Sequence, residues 1–448
     1  MFGALACIVI VELCERIGLN TLVSTMKSWL QNQGFSNADS SSVHQIFTLL
    51  SFSCCFLGGW LAETKFGRYK TESVPLFLFG VLVLVALGTG GIKPNISPFG
   101  ADQIDPATEG AEAHKSSFFM YLYLTVNVGC LVAFGFLANG FAGRCRTLAP
   151  SAGLPGYIAI EDGFFFCYVL TAGLMATAVA VFFAGTPIYR KESFECASRP
   201  VLGPFFSRIL EGRGTAKGKI SLLGWVLLPT IIVLSILQVF VPWPFLTTLS
   251  LAADLLCIGC LCVAHRDNSW LGKPDAVTRC LDIVPVVVVG NVTFDTLYNT
   301  MFSYFYEQGC QMDTRVGSDG MQLNAAFFNL GSSIAVVFLT PVIEKAMRST
   351  SGTFKVMCGI FMGAASQLVA AVIEYHRRQA EMTAMSAFWM VIPYAMMGTG
   401  EVLCNPVLQY IAYDGADPAY RSLMQALCLF AMGGPPKMRK TLYLATSP

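Results

Sequence analysis

Lys93 stands in the run VPLFLFGVLVLVALGTGGIKPNISPFGADQ, where about twenty mostly apolar residues from Val74 onward lead to a single cation followed by proline. A lysine at that depth costs roughly 2.5–3.5 kcal/mol on insertion scales, so it faces a partner or a wet cavity and marks a functional site. A second group of charges opens the chain. In FGALACIVIVELCERIGL, Glu12 lies three residues before Glu15 and four before Arg16, a spacing that puts the three on one helix face. Exposed to lipid they would be prohibitive, so they look into the protein. Arg16 neutralises one carboxylate and leaves the other able to bind a proton, which it holds more tightly when the cation moves away. A fixed ion pair that only orients helices needs two charges, and here there are three.

The carboxy-terminal half supplies further polar groups. Glu401 lies deep in the apolar segment AMMGTGEVLCNPVLQYIAY, beside Gly398 and Gly400, which let another helix or a ligand approach closely. Glu307 and Gln308 close an apolar run in FSYFYEQGCQMD. Glu307 fits an interfacial helix end as well as it fits a cavity. Tyr121, Tyr123 and Asn127 occur in FFMYLYLTVNVGC, where the asparagine can bond across helices for structural reasons or touch a substrate.

The elements that must position these groups are membrane spans. The chain is 54% hydrophobic and 13% charged, with a mean hydropathy of +0.58, against about 25% charged residues in soluble domains. A spanning helix needs about 20 mostly apolar residues. Such runs occur at 2–22, 43–62, 74–95, 118–141, 163–185, 220–241, 245–264, 281–306, 321–343, 354–375 and 386–412, with a shorter one at 423–434. This predicts an all-α, polytopic membrane protein. The first run has no basic leader and reaches Glu12 early, so it reads as a spanning helix rather than a cleavable signal.

A basic stretch divides the spans. Arg190, Lys191, Arg199, Arg208, Arg213, Lys217 and Lys219 face only Glu192, Glu195 and Glu211, which places the stretch in the cytoplasm by the positive-inside rule. The expected organisation is an amino-terminal bundle at 1–186, a basic loop and two-helix linker hairpin at 187–280, and a carboxy-terminal bundle at 281–448. The hairpin turns at Pro242-Trp243-Pro244, and its two apolar runs carry almost no polar residue besides Asp254.

Several classes are excluded. A net charge of +1 gives no reason to expect nucleic acid or an acidic partner. Cys54, Cys55, Cys257, Cys260 and Cys262 lie in apolar runs, where cysteine behaves as a small hydrophobe. Neither H-E-x-x-H nor a nucleophile elbow is present, and the four histidines are scattered, which argues against an enzyme. No metal or other cofactor is expected. The triplets at Asn95 and Asn291 match the glycosylation pattern but fall at membrane depth.

The motifs resemble a known family. GTGGIKPNISPFGADQ at 88–103 closely resembles the signature of the proton-coupled oligopeptide transporter family, a branch of the major facilitator superfamily. VELCER carries that family's E-x-x-E-R pattern, and FLGGWLAETKFGRYKT resembles the superfamily's loop after the second helix, with Glu63 where aspartate is usual. FFMYLYLTVNVGCL is similar to the second family signature, YEQGCQMD to the seventh helix, and GTGEVLCNPVLQY with YRSLMQAL to the tenth and eleventh.

The resemblance implies two six-helix bundles around a cavity and a secondary transporter that moves di- and tripeptides with protons, driven by the proton gradient. It assigns Glu12, Glu15, Arg16 and Lys93 to proton coupling, and Arg16, Lys93, Asn127, Gln308 and Glu401 to substrate binding. Lys93, Glu401 and Glu307 would form the gate. The expected partners are a small peptide, protons and the lipid bilayer of a plasma membrane or an acidic organelle.

The chain also departs from the family pattern. Ile17, Gly18, Leu19 and Asn20 replace the aromatic residues that usually follow E-x-x-E-R, and Cys428 replaces a common tryptophan. Val74 opens the lysine helix almost directly after Thr71, and the eleventh-helix pattern ends at Gly433-Gly434-Pro435-Pro436. The family's third and twelfth helices are therefore expected to be missing. Nitrate or another small anion as cargo, and a receptor-like or degenerate copy without transport, stay open as alternatives.

Overall fold

The computed structural model describes residues 2–32, 47, 51, 81–138, 160–190, 202–240, 244–272, 275–316, 323, 325–347, 349–381 and 383–432. Most of the run at 43–62 and the stretches 63–80 and 433–448 lie outside the described residues, so both expected helix losses do too.

The described residues are helical, with one isolated bridge between Asp313 and Ser386. In chain order the helices are α1 (Phe2–Asn32), α2 (Val81–Asp102), α3 (Ala111–Cys130), α4 (Ile160–Ala184), α5 (Leu202–Glu211), α6 (Ala216–Phe240) and α7 (Pro244–His265). After them come α8 (Ala276–Tyr298), α9 (Tyr306–Cys310), α10 (Leu330–Ala346), α11 (Gly352–Gln379), α12 (Val391–Asp414) and α13 (Arg421–Met432). Six helical segments among the described residues are long and apolar enough to cross a membrane. In a bilayer a helix satisfies every backbone polar group within its own segment, which is why apolar runs of this length take this form.

The fold differs from the hydropathy reading at one run. The stretch expected as a single span at 281–306 is interrupted: α8 ends at Tyr298, and a π-helical turn at Met301–Phe305 precedes the short α9. A second π segment, Leu131–Ala138, prolongs α3. Such turns are frequent at functional sites.

Two compact units make up the chain, one of residues 1–44, 106–189 and 297–406, the other of 45–105, 190–296 and 407–448. Each draws on both halves of the sequence, and one boundary falls at Pro406 inside α12.

In the first unit α1 packs against α3 and α4, and α3 against α10. Two glycines set these approaches. A Cβ on Gly129 would lie 2.9 Å from the Cβ of Arg16, and one on Gly398 would collide with the carbonyl of Ser332. In the second unit the linker helices α6 and α7 pack along each other and onto a core of Phe205, Ile209, Trp225, Leu261, Leu281 and Met424. Val226, Val233, Leu237, Leu255 and Val263 are exposed, an apolar face suited to lipid. Asp254, the hairpin's lone acid, is buried.

Gly398→Ala is expected to destabilise the protein by about 1–3 kcal/mol, because the collision is with backbone that has to shift. Gly173→Ala, where nothing lies within 4 Å, is expected to be neutral or slightly stabilising. Thermal unfolding of the two variants in detergent checks the contrast.

Candidate functional site

The amino-terminal charges form one cluster on α1. Arg16 Nε lies 2.6 Å from Glu12 Oε1 and 3.2 Å from Glu15 Oε2. Glu12 and Glu15 are only 1% and 3% exposed, and Glu12 Oε2 accepts no hydrogen bond from the described residues. One guanidinium is therefore shared by two buried carboxylates. Buried carboxylates of this kind are expensive unless they are paired. Gly129 of α3 is what lets the neighbouring backbone come up to Arg16.

Glu401 of α12 is the centre of a second cluster in the same unit and is 2% exposed. Tyr123 donates to its Oε1 at 2.5 Å and Tyr298 at 3.1 Å, while Ser332 donates to Oε2 at 3.1 Å. Asn405, one helical turn on from Glu401, donates to the Tyr123 hydroxyl at 2.8 Å. Asn127, one turn on from Tyr123, donates to that residue's carbonyl at 3.2 Å and lies within reach of the Glu401 carboxylate. Among the described residues the donors to the carboxylate are thus all neutral.

Cys130 sits between the two clusters. Its thiol accepts from Asn20 Nδ2 at 3.2 Å and lies within electrostatic range of both Arg16 and Glu401. Asn20, at a position where the family pattern has an aromatic residue, is used here to hold that thiol.

The remaining sequence-predicted residues stand elsewhere. Lys93 is on α2 in the second unit, 8% exposed and just before Pro94. Gln308 donates to the carbonyl of Ala370 at 3.3 Å, and Glu307 beside it on α9 is half-buried. Asn95 and Asn291 are buried, each donating back to the carbonyl four residues earlier, so neither is placed to carry a glycan. Asn291 also donates to Cys428 at 3.3 Å, so the residue in place of the tryptophan is a buried partner for an asparagine.

Sequence reasoning missed Tyr298, Ser332, Asn405 and Cys130. Asn405 was findable, because a residue four on from Glu401 shares its helix face. Tyr298 and Ser332 reach Glu401 across 103 and 69 residues of chain, and no local pattern announces them.

The POT family model matches residues 46–442. This chain is a member of the POT family. It is accordingly a multi-pass membrane transporter of the major facilitator architecture, and membership assigns it to transporters rather than enzymes. Among curated proteins it is similar to NRT1/PTR FAMILY 8.1 of Arabidopsis thaliana, 26% identical over 93% of this chain and 80% of that one. NRT1/PTR FAMILY 5.4 of the same plant is 22% identical over 95% and 83%.

Solved structures of POT transporters share the fold. PepTSo superposes with a TM-score of 0.69 at 20% identity, covering 99% of this chain and 92% of that one. An auto-inhibited POT family peptide transporter gives 0.68 at 19%, covering 96% and 86%. A POT structure holding 5-aminolevulinic acid gives 0.65 at 16%, covering 98% and 89%.

Tyr123→Phe removes a donor from Glu401 and the acceptor of Asn405. It is expected to cost about 1–3 kcal/mol, the penalty for leaving a buried polar group unmet. Asn405→Leu added to that variant is expected to cost less than it does alone, because its partner is already gone. Unfolding midpoints of the four proteins of this cycle provide the check.

Proposed function

We propose that this POT protein is a proton-coupled symporter of di- and tripeptides working by alternating access. The carrying observation is Glu401: a buried carboxylate whose hydrogen-bond donors among the described residues are neutral groups only. Tyr123, Tyr298 and Ser332 orient it without cancelling its charge, and the ammonium group of a peptide supplies the missing cation. Binding that end of the substrate exchanges weak neutral bonds for a charge-assisted one.

Lys93 takes the opposite charge. A buried ammonium in a span answers a carboxylate, and a zwitterionic peptide carries one at its other end. Glu12, Glu15 and Arg16 hold the coupled proton, since a buried carboxylate beside a movable cation binds a proton more tightly when the cation leaves. Asn127, Gln308 and Glu307 belong to the same reading as substrate-facing and gate residues, with the two-bundle division at 1–186 and 281–448 as the moving parts. The 5-aminolevulinic acid held by a related structure is also zwitterionic, with an amino group and a carboxylate.

Uptake of a labelled dipeptide by cells under an inward proton gradient tests the assignment. Lys93→Ala is expected to abolish uptake. Glu401→Gln is expected to raise the Michaelis constant roughly 10- to 100-fold, as loss of a charge-assisted bond requires. It is expected to leave a weakly bound N-acetylated dipeptide unaffected. Uptake unchanged in Lys93→Ala would sink the mechanism, and proton-driven uptake of nitrate without dipeptide uptake would replace peptide by anion as cargo.

A further inference from the structure

A line of polar side chains joins the foot of the linker hairpin to α8, and the proposed transport site makes no use of it. His265, the last residue of α7, is 1% exposed. Its Nε2 lies 3.0 Å from the Ser221 hydroxyl and 3.3 Å from Trp225 Nε1, both on α6. Its Nδ1 lies 2.8 Å from Asn268 Oδ1, and Asn268 Nδ2 donates to Asp282 Oδ1 of α8 at 2.6 Å. Two tryptophan rings flank the imidazole, Trp225 and Trp270, with centroids 6.4 and 6.0 Å away.

The two ends of this line fix where every proton in it sits. An indole N–H only donates, and a carboxylate only accepts. Asp282 therefore takes the amide N–H of Asn268, which turns the Asn268 oxygen toward the ring. Nδ1 must then carry the hydrogen, and Nε2 keeps the lone pair that Trp225 requires. His265 is thus neutral and in a single tautomer. A second proton has only Nε2 to go to, where it faces the N–H of Trp225. Ser221 can turn its hydroxyl round and accept from that proton, but the indole cannot. Protonation therefore breaks the bond to Trp225 and spares the others.

The charged groups around the ring are engaged elsewhere or exposed. Lys217 lies 2.8 Å from Asp267, Arg208 lies 3.0 Å from Asp275 and 2.6 Å from Glu211, and Arg279 lies 2.8 Å from Asp417. Arg213, Lys219 and Arg266 are exposed. Asp282 is joined to the ring through Asn268. Burial is the largest influence and lowers the imidazole's proton affinity, with Asn268 and Asp282 opposing it. The ring thus stays neutral until the pH falls below about 6.5, the ordinary imidazole value. The foot of the hairpin adjoins the basic stretch through Arg208, Arg213, Lys217 and Lys219, so it faces the cytoplasm.

We propose that His265 is a cytoplasmic proton sensor: in its neutral form it ties α6 and α7 to α8, and acid on that side releases Trp225 and loosens the foot of the hairpin. The residues of the line hold helices together and do not touch substrate.

The test titrates the full-length chain in lipid nanodiscs from about pH 7.5 to about pH 5, a range that spans imidazole titration. It needs no transported substrate, so its outcome is independent of the cargo assignment. An imidazolium quenches a neighbouring indole, so tryptophan emission is expected to fall reversibly as His265 takes up its proton, and this step is expected to be absent in His265→Gln. Hydrogen exchange at the amides of residues 221–225, corrected for its intrinsic pH dependence, is expected to speed about tenfold over the same step, the factor carried by a buried donor left unmet. Exchange in α11 is expected to show no such step. Asn268→Asp sets a carboxylate against Nδ1 and is expected to move the midpoint up by about one pH unit; it carries the test if the glutamine variant fails to fold. Curves that superpose in the unmodified protein and His265→Gln overturn the sensor, as does a midpoint that stays or falls in Asn268→Asp. Equal acceleration in α11 overturns it in favour of general acid loosening.

Discussion

A negative charge taken out of water inside a helical bundle has to be answered by something, and this protein answers it in three different ways. Glu12 and Glu15 share the single guanidinium of Arg16 at 2.6 and 3.2 Å. Glu401 is surrounded by hydroxyl donors with no charge of their own. Asp102 meets a full cation in Arg421 near the protein surface. The three arrangements differ in what faces the acid: a shared guanidinium, neutral hydroxyls, or a cation at a less buried position. In the proposed transport cycle the first of these serves the driving ion and the second the cargo.

Close packing makes those answers geometrically definite. The Glu401 cluster draws on α3, α8, α10 and α12, and its hydrogen bonds hold only while those helices stay within a few ångströms of one another. Gly398 lets α12 lie directly on the Ser332 backbone, and Gly129 does the same for α3 against Arg16. Glycine is the residue that permits such contact between helices, and small residues generally mark helix interfaces in membranes. The π segments that follow Cys130 and Tyr298 start next to residues of the two clusters, where helix register matters to which side chains point inward.

Much of this was legible before any coordinates. The helical class followed from apolar runs of spanning length, and the grouping of Glu12, Glu15 and Arg16 followed from three- and four-residue spacing on one helix. Even Asn127 with Tyr123, and Asn405 with Glu401, are pairs that local periodicity puts on shared faces. The break between Tyr298 and Tyr306 was not legible, because hydropathy averages over a window and does not register a change of helical pitch. Nor was the role of Asn20, which is unremarkable in sequence and holds the thiol of Cys130.

The sequence alone thus determined which residues are charged, which runs enter the membrane, and which neighbours a single helix turn brings together, since all three depend on interactions over a few residues. Which neutral groups answer Glu401, where Cys130 stands between two clusters, and which arginine closes on Asp102 were decided by tertiary structure. Those contacts join residues 69 to 319 apart. Helix packing selects them by shape and by the requirement that each buried charge find a donor, and neither condition leaves a trace in local spacing.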